Sequence, residues 1–245
     1  MTDWKDAAVA LDHVSKTFGD KQVLRDITFS VARQETICVL GKSGTGKSVT
    51  LKLIIALLKP EAGRIWIDGD DITQLEGQKL SRVRRKMGFL FQNAALFDFL
   101  TLYDNLALPL RRLTHKSKQE IEEVIDRALR QVGLSGDREK MPLELSGGMK
   151  KRAGLARALV LEPQILLVDE PSSGLDRITA SEIDELLLEQ KQRTTMIIVS
   201  HDVHGARRVA DRFAVLDQGR LAALGKPQDL ENHENETVRR LVMEV

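Results

Sequence analysis

GKSGTGKS, residues 41–48, follows the apolar run TICVL and precedes the apolar, helix-like VTLKLIIALL, and that placement decides the fold. The stretch fits G-x-x-x-x-G-K-[ST], a loop whose glycines let backbone N–H groups curl around phosphate oxygens where a helix begins. The positive end of the helix dipole adds to the attraction for an anion. Gly41, Lys42, Ser43, Gly44, Thr45, Gly46, Lys47, Ser48 and Val49 are therefore candidate nucleotide-binding residues. Within them, Lys47 is placed to reach the β- and γ-phosphates and the Ser48 hydroxyl to ligate Mg²⁺. Alone, the motif names only a P-loop NTPase.

Other apolar runs end the same way. MGFLF leads into Gln92, ILLV into Asp169 and Glu170, and MIIV into Ser200 and His201. Runs without alternation suit strands buried on both faces of a parallel sheet. Helical segments between them complete a doubly wound α/β pattern. VALDHVSKTF, VLRDITFSV and GRIWIDGDDI alternate instead, with Gly and Asp as punctuation, and predict an antiparallel β side sheet packed on the core. SKQEIEEVIDRALRQVGL predicts a helix: Ser117 and Glu120 form a capping box. Ile121, Val124, Ile125, Ala128, Leu129 and Val132 keep helical spacing, and Gly133 supplies a stop. The expectation is one domain over residues 1–245, with an α-helical subdomain inserted over approximately residues 93–161.

Composition narrows the partners. Lys plus Arg number 37 against 36 for Asp plus Glu, a formal net charge of +1. A dedicated nucleic-acid binder shows a basic excess, so none is expected as a partner. The single cysteine, Cys38, has no mate in the chain, which points to a reducing compartment. MTDWKDAAVALDHV has no signal-peptide core. LIIALL is far shorter than the ~20 residues of a spanning helix. Any work at a membrane is expected to pass through a partner, and nothing after ENHENETVRRLVMEV suggests a regulatory domain.

Chemistry gathers at the strand ends. Asp169 closes a buried strand, where a carboxylate is costly unless a cation or hydrogen bonds compensate it. Mg²⁺ bridging phosphates is such a cation, so Ser48, Gln92 and Asp169 are the candidate metal ligands. Glu170 is placed to polarise a water, and successive carboxylates favour water over a hydroxyl acceptor as nucleophile. His201 at its strand end is placed to hydrogen-bond a phosphate oxygen and help fix that water. Sheets of this kind bind ligands at the carboxyl ends of their strands. LSGGMKKRAGLARAL, residues 145–159, poses a different problem. Glycines open a helix and the cations Lys150, Lys151 and Arg152 follow at once, against the helix dipole.

With these motifs in this order, the sequence resembles an ATP-binding-cassette (ABC) ATPase along essentially its whole length. GKSGTGKS looks like Walker A, Gln92 the Q-loop glutamine, LSGGM the signature, ILLVDE Walker B, SGLD (residues 173–176) the D-loop, and His201 the switch histidine. The resemblance implies ATP and Mg²⁺ as cofactors, and catalysis by Glu170, His201 and Gln92. Phe18 in KTFG matches the position that stacks on adenine, where tyrosine is commoner; a core aromatic is the other reading. In such ATPases two copies pair head to tail, with each ATP between one P-loop and the other's signature. Ser146, Gly147 and Gly148 would then serve the partner's nucleotide, and Asp176 of the D-loop is a further candidate nucleotide-binding residue. For the cations that follow, a solvated helix face is favoured over phosphate contact.

The finer resemblance is to ATPase subunits of Mla-type and mammalian-cell-entry (MCE) phospholipid transport systems. It rests on FQNAALFDFLTLYDNLALPLR (residues 91–111), on MPLELSGGMKKRAGLARAL with Met149 where most relatives carry glutamine, and on DEPSSGLDRITA (residues 169–180). It implies an ATP-fuelled homodimer, peripheral on the cytoplasmic face of the inner membrane, under two transmembrane permease subunits. An MCE-domain substrate-binding subunit and a small accessory subunit complete the system, whose task is outer-membrane lipid asymmetry in Gram-negative bacteria. Leu96, Phe97, Leu100 and Leu106 fit both a groove for a permease helix and a helical core. The alternatives are an ABC ATPase for another cargo, such as amino acids or lipoproteins, and a non-transport ABC protein of DNA repair or translation. The latter usually carry a coiled-coil insertion or a second cassette.

Overall fold

The computed structural model describes residues 4–243; the ends of the expected 1–245 domain, residues 1–3 and 244–245, lie outside the described residues. The chain opens with a hairpin, β1 (Ala7–Phe18) and β2 (Lys21–Ala32), then enters β3 (Thr36–Leu40) and α1 (Lys47–Ile54). β4 (Ala62–Ile67), β5 (Asp70–Asp71), α2 (Gly77–Arg84) and β6 (Met87–Leu90) follow. Next come the helices α3 (Leu102–Leu113), α4 (Lys118–Gln131) and α5 (Gly147–Leu159), leading into β7 (Ile165–Asp169). α6 (Arg177–Gln190), β8 (Thr195–Val199), α7 (Val203–Val209), β9 (Arg212–Asp217), β10 (Arg220–Gly225), α8 (Pro227–Leu230) and α9 (Glu236–Met243) complete it.

Two sheets result. The larger has the order β10-β9-β3-β8-β7-β6, parallel from β9 to β6, with β10 returning antiparallel on β9. Every residue of β3, β7 and β8 is buried, which is why their sequences are apolar without alternation. Neighbouring residues still face opposite ways. Ile165 and Leu167 of β7 join a core with α1 and the side sheet, while Leu166 and Val168 join one with α6, α7 and α9. The second sheet, β2-β1-β4-β5, is antiparallel and turns Val9, Leu11, Ile27, Phe29, Ile65 and Ile67 onto the first core.

The helices between β6 and β7 have a core of their own. Leu102, Leu106 and Leu110 of α3 meet Ile121, Ile125 and Leu129 of α4 and Ala153 and Ala156 of α5. Local chemistry sets their ends. Thr101 caps α3 by accepting from the Asp104 N–H, and Ser117 and Glu120 close a reciprocal capping box on α4. Leu106 belongs to this core, but Phe97 and Phe99 stay exposed, with ring centroids 5.7 Å apart. Among the described residues no helix is long and apolar enough to cross a membrane.

Candidate nucleotide site

The carboxyl ends of β3, β6, β7 and β8 open on one cavity of about 600 Å³. Phe18, Lys21, Val23, Ser43, Gly44, Gly46, Lys47, Ser48, Val49, Gln92, Glu170 and His201 line it. The parallel sheet carries the loop after β3, Gln92, Glu170 and His201 to one rim because each follows a strand running in the same direction, and the β1–β2 hairpin adds Phe18, Lys21 and Val23.

The loop between β3 and α1 is wound tightly. Gly46, the residue before α1, has φ +102°, and a Cβ there would meet Leu24 Cδ2 at 2.4 Å. Only glycine fits this left-handed turn under the side sheet. Lys47 Nζ donates to the Gly41 carbonyl at 2.7 Å and to the Lys42 carbonyl at 3.3 Å, and Thr45 Oγ1 donates to the Lys42 carbonyl at 2.9 Å. Lys47 also lies 3.8 Å from Glu170 Oε1.

Asp169 is 4% exposed, and burial pushes its carboxyl above the ordinary carboxylate range. The Ser48 hydroxyl donates to it at 2.8 Å and pulls the other way. Among the described residues no group of His, Cys, Asp and Glu could hold a metal unaided. One carboxylate beside one hydroxyl is instead the donor set that suits Mg²⁺, which takes its remaining oxygens from phosphates and water. Gln92 is exposed on the same cavity. The residues present fit the ion.

Glu170 has φ +48°, left-handed for a residue with a side chain, a conformation that surroundings must enforce. Its N–H donates to the Val199 carbonyl at 2.9 Å. Its carboxylate accepts from the His201 N–H at 3.3 Å, and His201 Nδ1 stands 2.5 Å from Oε2. Phe18 is 45% exposed at the cavity mouth, with Lys16 Nζ 5.1 Å from its ring centroid. It is not a core aromatic.

Ser146, Gly147, Gly148 and Asp176 lie elsewhere and line no part of this cavity. Ser146 caps α5 by accepting from the Met149 N–H at 3.2 Å. Gly148 is buried against α6, where a Cβ would meet Thr179 Cγ2 at 2.3 Å. Asp176 caps α6, and its bonds from Thr179 hold its carboxyl below the usual range. Met149 packs at the edge of the helical core.

The solvated helix face expected of the cations after Met149 is wrong for Lys151. That residue is 5% exposed, and its Nζ donates to the Glu170 carbonyl at 2.7 Å. Burial lowers its affinity for a proton, while Glu170 and Asp169 oppose the shift. A sequence signal existed: Gly148, Lys151 and Leu155 share one helical face, and all are buried. Lys21 and Val23, also unforeseen, reach the cavity because Phe18 pairs with Lys21 across the first hairpin.

Behind His201, Asp184 faces Asp202 across Gly205, whose Cβ position lies 2.9 Å from Asp184 Oδ2 and 3.0 Å from Asp202 Oδ2. Burial first and Asp202 second push Asp184 up to about 6, against Arg208 Nη1 at 3.5 Å and His204, which favour its charge. The folded pKa exceeds the ordinary 3.8, so this stabilising proton is fully held at low pH and lost as pH rises through about 6. Asp184→Asn should therefore gain in melting temperature relative to the parent between about pH 4 and about pH 7. A difference that stays constant over that window would contradict the buried-pair reading.

Comparison with known proteins places this geometry among relatives. Residues 24–173 match the family model described as ABC transporter. The chain is 43% identical over 237 residues to the probable ribonucleotide transport ATP-binding protein mkl of Mycobacterium leprae, covering 96% of this chain and 68% of that one. It is 39% identical over 214 residues to the intermembrane phospholipid transport system ATP-binding protein MlaF of Haemophilus influenzae, covering 86% and 81%. The same identity links it to the methionine import ATP-binding protein MetN of Cupriavidus metallidurans, of which it covers 62%. The ATP-binding cassette MJ0796, solved as a dimer in a post-hydrolysis state bound to ADP and Pi, superposes with TM-score 0.83 at 32% identity, covering 89% of this chain and 98% of that one.

Proposed function

From the premise that the chain belongs to the ABC transporter family and is an ATP-hydrolysing cassette, we propose that it drives phospholipid transport as the paired motor of an Mla/MCE-type system. The observation that carries the catalytic half is the shared cavity. A phosphate-binding loop, the Ser48–Asp169 pair, Glu170 and His201 meet there. ATP lies with its phosphates over residues 41–48 and its adenine against Phe18. Lys47 binds the β- and γ-phosphate oxygens. Ser48, Asp169 and Gln92 would hold Mg²⁺, which when bound would supply charge neutralisation at the phosphates. Glu170 takes a proton from water as its oxygen bonds to the γ-phosphorus, and the bond to the ADP oxygen breaks. His201 fixes the γ-phosphate and the water.

Ser146 and the N–H groups of Gly147 and Gly148 act in trans, closing the partner's site. Their distance from this chain's own cavity supports that role, as does the dimeric relative with ADP and Pi. Ser146→Arg should leave nucleotide binding by the single chain intact and abolish ATP-dependent dimerisation, read by light scattering with and without ATP. Unaltered dimer formation would remove the trans role.

The phospholipid cargo is supported by NAALF after Gln92, by Met149 and by the MlaF relative, most of whose length the chain covers. The exposed Phe97 and Phe99 supply an apolar face for a permease subunit. The higher identity to mkl favours ribonucleotide transport as the second reading. Affinity purification from detergent-solubilised membranes separates them. Co-purified permeases with an MCE-domain protein support the lipid cargo. A methionine receptor or a ribonucleotide-specific permease in their place overturns it.

A further inference from the structure

Glu170 is held in its left-handed backbone from both sides: the Val199 carbonyl takes its N–H at 2.9 Å, and Lys151 Nζ reaches its carbonyl at 2.7 Å. The lysine comes from the first turns of α5, whose N-terminus is the LSGG segment. An ammonium is strongly hydrated in water, so burying one against a single peptide carbonyl is costly and needs a reason beyond filling space. The same helix grips a second unusual backbone. Arg157 donates to the carbonyls of Ala95 at 2.6 Å and Ala94 at 3.0 Å, both alanines having positive φ, just after Gln92. Side chains of α5 thus hold left-handed segments beside two of the cavity's strand ends.

We propose that Lys151 is a positioning residue for hydrolysis: it fixes the Glu170 peptide so that the carboxylate is aimed at the attacking water. This rests on the role of Glu170 proposed above. A carboxylate displaced by about an ångström loses on the order of a hundredfold in rate while leaving nucleotide contacts untouched. The contact therefore belongs to turnover and not to ATP affinity.

The test compares Lys151→Met, which keeps the length and loses the donor, with Lys151→Arg, which keeps a donor. Phosphate release gives kcat and KM, a fluorescent ATP analogue gives affinity, and thermal melting reports the fold. Lys151→Met should lower kcat by about tenfold or more with KM and affinity within about twofold, and Lys151→Arg should recover most of the loss. In a Glu170→Gln background, Lys151→Met should leave the ATP-dependent dimer intact. A kcat within about twofold of the parent overturns the proposal, as does a joint fall of kcat, affinity and melting temperature that arginine does not rescue. If Lys151→Met dissolves the dimer formed by Glu170→Gln, the lysine serves LSGG seating alone and the aiming role fails. If Glu170→Gln itself never dimerises, the dimer reading fails, while the kcat comparison still decides the Lys151–Glu170 contact.

Discussion

Glu170→Gln is expected to slow ATP hydrolysis by about a thousandfold, within the range general-base catalysis contributes, while ATP still binds. Glutamine keeps the size of the side chain and an oxygen facing His201 Nδ1, now 2.5 Å from Oε2, but it cannot accept the proton of the attacking water. ATP held without hydrolysis keeps both composite sites closed, so the dimer should accumulate with ATP and dissolve with ADP. Size-exclusion chromatography and phosphate release read the two effects separately. Turnover within about tenfold of the parent would remove Glu170 as the base.

Lys47→Ala should be as severe by a different route. The ammonium is the cationic side chain of the phosphate loop that lines the cavity, and Lys42 and Lys52, close by in sequence, do not line it. Removing a preorganised donor at developing charge costs on the order of a hundred- to a thousandfold in rate. ATP should also lose its power to raise the melting temperature, because that protection is binding free energy. ATP that still protects the variant, with turnover near the parent's, would mean the loop is not the phosphate site.

Much of this architecture was legible because it depends on residue types in series. TICVL, ILLVD and TMIIV are apolar throughout because both faces of their sheet are covered. Ser117 and Glu120 announced their helix since a capping box is a local exchange of hydrogen bonds. Gln92, Asp169, Glu170 and His201 were findable because each stands at the end of such a strand. Lys151 was missed although it shares a helical face with Gly148 and Leu155, because the carbonyl it bonds lies 19 residues away and only the fold brings it there. The left-handed Ala94 and Ala95 were equally hidden, since alanine carries no sign of positive φ and Arg157, which holds them, comes from another element. Phe18 left core and surface readings open until the hairpin register put it on the cavity.

Polar groups assigned to nucleotide binding have partners within their own chain. Lys47 rests on the Gly41 carbonyl, Ser48 on Asp169, Glu170 on His201, and Ser146 and Asp176 on the N–H groups of their helices. Loading ATP is therefore a substitution of one polar partner for another, a change whose net free energy is far smaller than the gross strength of the bonds involved.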